Sequence, residues 1–250
     1  MSLVKFKLSR DFSTLKIIGS DFNLKVLKDL HTIINKINKK DYIEEVKIIG
    51  NFNTKLLIED TFTKKNDLDK ILFLSQSITK TIESSNIKFT SFINGITKGP
   101  AMEIALSCNF IKAEKESVID FDIINKGYIP FLGTIQRLIR ILGYKKTLHA
   151  LLIDKFIGFA DASKLEIINN QQDNINKIIK KNFFWDHSFT NTFIFFNSKI
   201  HSKYKNKKPC YNAILSIIFE GSICQYEEGL SIEKRWLKWL ILNKHSSLEV

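Results

Sequence analysis

The chain opens on strict alternation: Val4, Phe6 and Leu8 fall on one side and Lys5, Lys7 and Ser9 on the other. A period of two marks a strand with one buried face. The polar run Arg10-Asp11-Phe12-Ser13 predicts a turn into a second strand, Leu15–Ile18. The period then lengthens. Val26, Leu27, Leu30, Ile33, Ile34 and Ile37 recur at helical spacing behind Asp21, whose carboxylate is placed to cap the first turn. A buried strand follows over Val46–Ile49, a polar stretch runs to Asn66, and Asp67 opens a second helix with Leu68, Ile71, Leu72, Ile78 and Ile82 inward. The strand Ile87–Ile93 ends on Asn94-Gly95, a sharp-turn dipeptide. Strands alternating with helices predict βαβ units around a largely parallel sheet, so the fold class is α/β.

Beyond Gly133 the pattern turns helical. The periodicity predicts helices over Ile135–Leu142, Lys145–Leu152 and Ala162–Ile168, then a polar interruption at Asn169–Asn174. The basic stretch Lys199–Lys208 reads as a solvated connection ending at Pro209. Two amphipathic helices, Tyr211–Phe219 and Ser231–Leu242, follow, with Leu215, Ile218, Trp236 and Leu240 as expected core residues. There is no internal repeat.

Composition narrows the class. A chain of 250 residues, 44% hydrophobic and 26% charged, is an ordinary globular protein, and no apolar run reaches the ~18 residues of a membrane span. The N-terminus has neither the apolar core nor the cleavage site of a signal peptide. Three cysteines (Cys108, Cys210, Cys224) without a C-x-x-C spacing read as free thiols of a reducing, cytoplasmic compartment. Five scattered histidines lack metal-ligand spacing, so no metal is expected. The 38 Lys+Arg against 26 Asp+Glu leave +12, a surface that attracts anions. That excess is mostly lysine in a chain also rich in isoleucine and asparagine, and no nucleic-acid-binding signature accompanies it, so nucleic acid is not an expected partner.

Two long runs carry a specific pattern. The first is Ile93-Asn94-Gly95-Ile96-Thr97-Lys98-Gly99-Pro100-Ala101-Met102-Glu103-Ile104-Ala105-Leu106-Ser107-Cys108-Asn109. The second is Gly127-Tyr128-Ile129-Pro130-Phe131-Leu132-Gly133-Thr134-Ile135-Gln136-Arg137-Leu138-Ile139-Arg140-Ile141-Leu142-Gly143. They resemble I-N-G-x-x-x-G-G-G-x-E-L-A-L-x-C-D and G-x-I-P-G-x-G-G-T-Q-R-L-x-R-x-x-G of the crotonase (enoyl-CoA hydratase/isomerase) superfamily, at the right separation and without a gap. Phe159-Ala160-Asp161-Ala162 and Leu165-Glu166-Ile167-Ile168-Asn169 resemble its I-S-A-x-E-A…G-L-V segment. Pro209-Cys210-Tyr211-Asn212-Ala213-Ile214 and Glu227-Glu228-Gly229-Leu230-Ser231-Ile232-Glu233 resemble the P-A-P…I…E-x-G-L-x-x-E of the connecting helices after the hydratase domain of fatty-acid oxidation α-subunits. The resemblance implies a ClpP-like spiral of ββα units over 1–190 and a C-terminal helical segment over 191–250. No G-x-G-x-x-G of a following dehydrogenase domain occurs.

In that family two backbone N–H groups stabilise the enolate of a CoA thioester while two carboxylates hold a water and trade protons across the double bond. The resemblance places the first carboxylate at Glu103 and the second, twenty residues on, at Ile123, which can neither bind nor deprotonate water. Asp122, one residue away, is the possible substitute. The second oxyanion donor, the middle glycine of G-G-G, corresponds to Pro100, which has no N–H, directly after Gly99. The first donor falls at Leu56, in Phe52-Asn53-Thr54-Lys55-Leu56-Leu57-Ile58, the counterpart of F-x-A-G-x-D-L. Of the other reactive side chains, His149 reads as a packing residue, Cys108 as inert mid-helix core, and Lys203–Lys208 as a solvated linker within reach of CoA phosphates.

Three readings stay open: a β-oxidation-related protein whose hydratase activity is lost or severely reduced, an active hydratase or isomerase using Glu103 with Asp122, and a non-catalytic assembly module. The first two imply an acyl-CoA thioester as ligand, coenzyme A entering as part of the substrate with no separate cofactor; in the third, a site filled by Lys55, Leu56 and Leu57 need bind nothing. Each also implies assembly, as a homotrimer or hexamer or with β-oxidation complex subunits.

Overall fold

A computed structural model describes residues 4–7, 13–56, 65–168, 185–205 and 207–243. Leu8, the turn Arg10–Phe12, the 57–64 part of the polar stretch, Leu57, Ile58 and the segment Asn169–Asn174 lie outside the described residues. The described residues fall into two compact units, Met1–Asp120 with Ile157–Asn176, and Phe121–Phe156 with Lys177–Val250.

The first unit is built on a sheet of five strands in the order β1-β2-β4-β6-β8: β1 Val4–Lys7, β2 Ser13–Ile17, β4 Glu45–Gly50, β6 Lys88–Ile93 and β8 Phe110–Ala113. Only β1 runs antiparallel, paired with β2 through Phe6 opposite Leu15; β2, β4, β6 and β8 are parallel. The alternation of β2 and β4 buries Leu15, Ile17, Val46 and Ile48 on one face. Helix α1, Leu24–Asn38, buries Val26, Leu27, Leu30, Ile34 and Ile37, while Ile33 is half-buried at the edge of the stripe. Its cap is Asn23, whose carboxamide oxygen accepts from the Val26 N–H at 3.1 Å. The expected cap, Asp21, instead belongs to β3, Asp21–Phe22, and pairs with Lys55 at 3.5 Å. Helix α2, Lys65–Glu83, starts two residues before Asp67, and Leu68, Ile71, Leu72, Ile78 and Ile82 are buried as the period requires.

Short strands complete this unit. β3 pairs in parallel with β5, Lys55–Leu56. β7, Ile96–Lys98, pairs with β9, Val118–Asp120, beyond which lies β10, Phe156–Gly158. After the Asn94-Gly95 turn, in which Gly95 takes φ +56, helix α3 spans Gly99–Leu106 and helix α5 Phe159–Lys164. Ala162–Ile168 was expected as the helix; the chain leaves it at Lys164, and Glu166 takes φ +61. Cys108 is buried and donates its thiol to the Ile104 carbonyl, but it lies two residues past α3 rather than mid-helix.

The second unit is helical. It begins with a 3₁₀ turn, Asp122–Ile124, and continues through α4, Thr134–His149, which breaks at Gly143 (φ 76, ψ 164) where two helices were expected. A π-turn, Ala150–Asp154, follows. Helix α6, Phe189–Tyr204, fills most of the stretch read as a basic connection, because Phe189, Phe193, Phe196 and Ile200 form a buried stripe behind its lysines. Helices α7, Pro209–Gly221, and α8, Tyr226–Leu242, close the chain. Tyr226 starts α8 five residues earlier than expected, since the Glu228 carboxylate accepts from the Gln225 N–H at 3.1 Å and caps the turn. Ile218 and Leu240 are core; Leu215 and Trp236 are only half-buried.

A buried brace ties α4 to α8. Gly133, at φ +85, precedes α4, and its N–H and that of Gln136 donate to the Glu233 carboxylate at 3.0 and 3.2 Å. A β-carbon at Gly133 would meet the Leu230 side chain at 2.6 Å, and one at Gly229 the Gln136 amide oxygen at 2.1 Å. Arg140 donates to that oxygen at 2.8 Å and to the Cys224 carbonyl at 3.1 Å. The two motifs, about a hundred residues apart, therefore meet through backbone amides of one and the Glu233 carboxylate of the other.

Candidate functional site

The residues to which the sequence assigns chemistry divide between the units. In the first, Gly99 to Glu103 form the start of α3. Gly99 sits at φ +69, and a β-carbon there would lie 2.1 Å from the Thr54 carbonyl oxygen, so only glycine fits this approach. Pro100 occupies the first turn, where a helix has no internal acceptor for the N–H that proline lacks. Structurally it costs nothing; chemically it removes a donor. Glu103 lies one helical turn further on and is buried.

The segment holding the other expected donor is hydrogen-bonded to this turn. The Lys98 N–H donates to the Phe52 carbonyl at 2.8 Å, and the Thr54 N–H donates to the Lys98 carbonyl at 3.1 Å. The Thr54 hydroxyl adds two bonds: it donates to the Lys98 carbonyl at 2.9 Å and accepts from the Ala101 N–H at 3.0 Å. Lys98, the residue before α3, offers no side-chain cap, so Thr54 caps the helix from 47 positions away in sequence. Leu56 lies two residues on in β5, its backbone in register with Phe22. The structure thus brings Leu56's loop and Gly99, Pro100 and Glu103 together on one side of the first unit. Sequence reasoning missed Thr54, which carries no motif; only its place in the F-x-A-G-x-D-L counterpart could have pointed to it.

The remaining two positions belong to the second unit. Ile123 is the middle residue of the 3₁₀ turn, half-buried, and its carbonyl accepts from the N–H groups of Lys126 and Tyr128. Asp122 points to Lys126, with a carboxylate oxygen 2.9 Å from the ammonium, one turn along the same segment. Nearby, Lys155 donates to the Asn125 side chain at 2.7 Å and lies over the Tyr211 ring. His149 is largely exposed, with its ring edge-on to Phe196 and 3.8 Å from Asp154, so it is a surface residue rather than packing. Of the basic cluster, Lys203 and Lys208 lie over the Tyr204 ring. Among the described residues no group of His, Cys, Asp and Glu could hold a metal, and no helix is long and apolar enough to cross a membrane.

Comparison with known proteins places these observations. The fatty acid oxidation complex subunit alpha of Shewanella frigidimarina is 24% identical over 190 residues, 66% of this chain and 27% of that protein. The peroxisomal fatty acid beta-oxidation multifunctional protein of Oryza sativa subsp. japonica is 23% identical over 190 residues, 68% of this chain and 26% of that one. The chain thus spans about a quarter of the length of these curated relatives. Among solved structures, an enoyl-CoA hydratase from Mycobacterium avium subsp. paratuberculosis superposes with a TM-score of 0.66 at 12% identity, over 99% of both chains. That likeness shows the fold, the expected α/β crotonase spiral with C-terminal helices. The enoyl-CoA hydratase/isomerase family model matches residues 58–240, well over half of the sequence, and the chain belongs to that family.

Proposed function

We propose that this chain is an acyl-CoA-binding member of the family, related to the enoyl-CoA hydratases of fatty-acid β-oxidation, in which hydratase activity is lost or severely reduced. The observation that carries the reading is Pro100 in the first turn of α3. The position aligned with the second oxyanion donor has no N–H to give, and loss of one such donor typically costs about 100- to 1,000-fold in rate. Two features support it. Ile123 stands where the second carboxylate is expected, and Asp122 is engaged by Lys126. Glu103 alone remains of the acid–base pair, and one carboxylate cannot both hold a water and relay its proton as two do.

In this reading residues 1–190 form the crotonase core and 191–250 a helical segment akin to the connecting helices of fatty-acid oxidation α-subunits. Coenzyme A enters as part of the ligand. The protein acts in the cytoplasm as a homotrimer or hexamer or beside β-oxidation subunits. The test is hydration of crotonyl-CoA followed by the loss of its conjugated absorbance. Turnover well below 1 s⁻¹ is expected; a kcat within about tenfold of the enzyme median near 10 s⁻¹ overturns the reading.

A further inference from the structure

We propose that the outer side of α6 docks on an anionic lipid surface. The inference stands apart from the hydratase reading, since it uses none of Glu103, Pro100 or Ile123.

A helix on a protein surface needs one apolar stripe to pack, and α6 has it in Phe189, Phe193, Phe196 and Ile200. It carries more apolar groups than that stripe uses. Ile194 is 59% exposed and Phe195 56%, and Trp185, just before the helix, is 63% exposed while stacked on Phe189. On α7, Phe219 is 39% exposed with its ring against Phe189 and Phe193. Between the two helices lies a hollow of about 380 Å³ lined by Phe193, Ile194, Leu215 and Phe219. Single exposed apolar side chains are ordinary, but a joined set of large ones around a hollow marks a binding surface. The carboxylate at the hollow, Glu220, is already bonded by Arg235 at 2.7 Å and by the Trp236 indole at 3.3 Å.

Charge selects the partner. From His187 to Phe219 the sequence has no Asp or Glu but five lysines: Lys199, Lys203, Lys205, Lys207 and Lys208. All five are exposed, and among the described residues none pairs with a carboxylate. The Lys199 ammonium lies 5.7 Å from the centre of the exposed Phe195 ring, so cation and apolar group share one place. A lipid surface satisfies both. Aromatic and aliphatic chains enter the boundary between headgroups and acyl chains, while ammonium groups meet the headgroup phosphates. The helix is already folded on its buried stripe, so docking costs it no ordering.

The test is co-sedimentation of the full chain with phosphatidylcholine vesicles, with and without phosphatidylserine. Vesicles containing phosphatidylserine should bind about tenfold tighter or more. That binding should weaken as salt rises from about 0.1 M to about 1 M and the Debye length falls from ~10 Å to ~3 Å. Ile194→Ser with Phe195→Ser strips the outer face and should weaken binding about tenfold. Lys199→Glu with Lys203→Glu should weaken it as much or more, since each lysine near an anionic surface is worth about fivefold. Lys36→Glu with Lys39→Glu, at the end of α1 in the first unit, makes the same change in net charge and should leave binding within about twofold. A folded serine variant that binds as tightly as wild type, equal weakening by the two lysine reversals, or no preference for phosphatidylserine overturns the inference. So does a wild type that ignores vesicles but forms an oligomer that the serine variant dissociates in sedimentation velocity, because a second copy then covers this face. Should the serine variant fail to fold by circular dichroism, the comparison of the two lysine reversals decides alone.

Discussion

The α3 turn and the α4–α8 brace carry the most specific family runs, yet they differ in what those residues do. At the brace the motif residues bond one another: Gly133 and Gln136 donate to Glu233, Gly229 makes room for Gln136, and Arg140 bonds the Gln136 side chain. At the α3 turn Gly99 keeps its close approach to Thr54, but Pro100 cannot donate and Ala101 already does so internally. Gly133, Gln136, Arg140, Gly229 and Glu233 keep the family's residue types, as does Glu103 at the turn, whereas Pro100 departs from the pattern. Chemistry and stability lie in different atoms, so one can change while the other is kept.

The largest expected effect strikes the brace. Glu233 is fully buried and accepts two backbone N–H groups, so Glu233→Ala leaves both buried without their carboxylate. Burial already lowers the Arg140 pKa, against which Cys224, Tyr226 and Glu233 act. Removing the carboxylate therefore also strips a counter-charge from a buried guanidinium. Stability should fall by about 4 kcal/mol in urea unfolding. A loss below about 1 kcal/mol would mean that the brace does not hold the helices, and the contrast drawn above would fail.

Next comes restoration at the turn. Pro100→Gly returns one N–H, and Ile123→Glu returns the second carboxylate. The first alone should raise crotonyl-CoA hydration by about 100-fold at most, and the pair by more than the product of the two singles, since cooperating catalytic groups are not additive. Folding should change little, by about 1 kcal/mol or less for the proline. No gain from the pair in a folded protein would show that the aligned positions are not the chemical ones.

How much of this could be read from the chain depends on range. The stripe Val26, Leu27, Leu30, Ile34 and Ile37 and the strands around Val46 and Phe89 follow from local period, and they stand where the pattern put them. Boundaries decided by a single side chain were less legible: Asn23 and Asp21 both offer a capping oxygen, and only the three-dimensional path of β3 takes Asp21 away. Helix α6 was hidden because the basic run Lys199–Lys208 overlaps its end, while Phe189, Phe193, Phe196 and Ile200 repeat at helical spacing through it. At the site, Glu103, Pro100 and Ile123 stand out by alignment with a motif. Thr54 does not; Glu233 closes a family run, but the backbone amides that Thr54 and Glu233 accept from lie far off in sequence, and no local pattern encodes such partners.

A smaller effect tests whether backbone-holding residues behave alike in the first unit. Asn23→Ala removes the oxygen that caps α1 and should cost about 1 kcal/mol. Asp21→Ala breaks an exposed pair with Lys55 and an exposed hydrogen bond from the Ser20 hydroxyl, and should cost less than about 0.5 kcal/mol. The reverse order in thermal melts would return the cap to Asp21.

The smallest effect sharpens the brace by setting it against an exposed copy of the same chemistry. Asp186 precedes α6, and one carboxylate oxygen accepts from the Tyr144 hydroxyl at 2.6 Å, the Ser188 hydroxyl at 2.7 Å and the Ser188 N–H at 2.8 Å. The Tyr144 bond first, then Ser188, holds its pKa well below the ordinary carboxylate range. Asp186 thus accepts three short hydrogen bonds, but its side chain is 51% exposed and water competes for every bond. A depressed carboxylate stabilises the fold above the unfolded pKa near 4 and loses that contribution as pH falls toward its folded value. Asp186→Asn should therefore melt slightly below wild type at pH 7, with the gap closing as acid is added below about pH 4. Since burial rather than bond count sets the weight of a carboxylate, that gap should stay far smaller than the one opened by Glu233→Ala. An Asp186→Asn loss as large as that of Glu233→Ala would mean that the helix start at α6, not the α4–α8 contact, is what the second unit depends on.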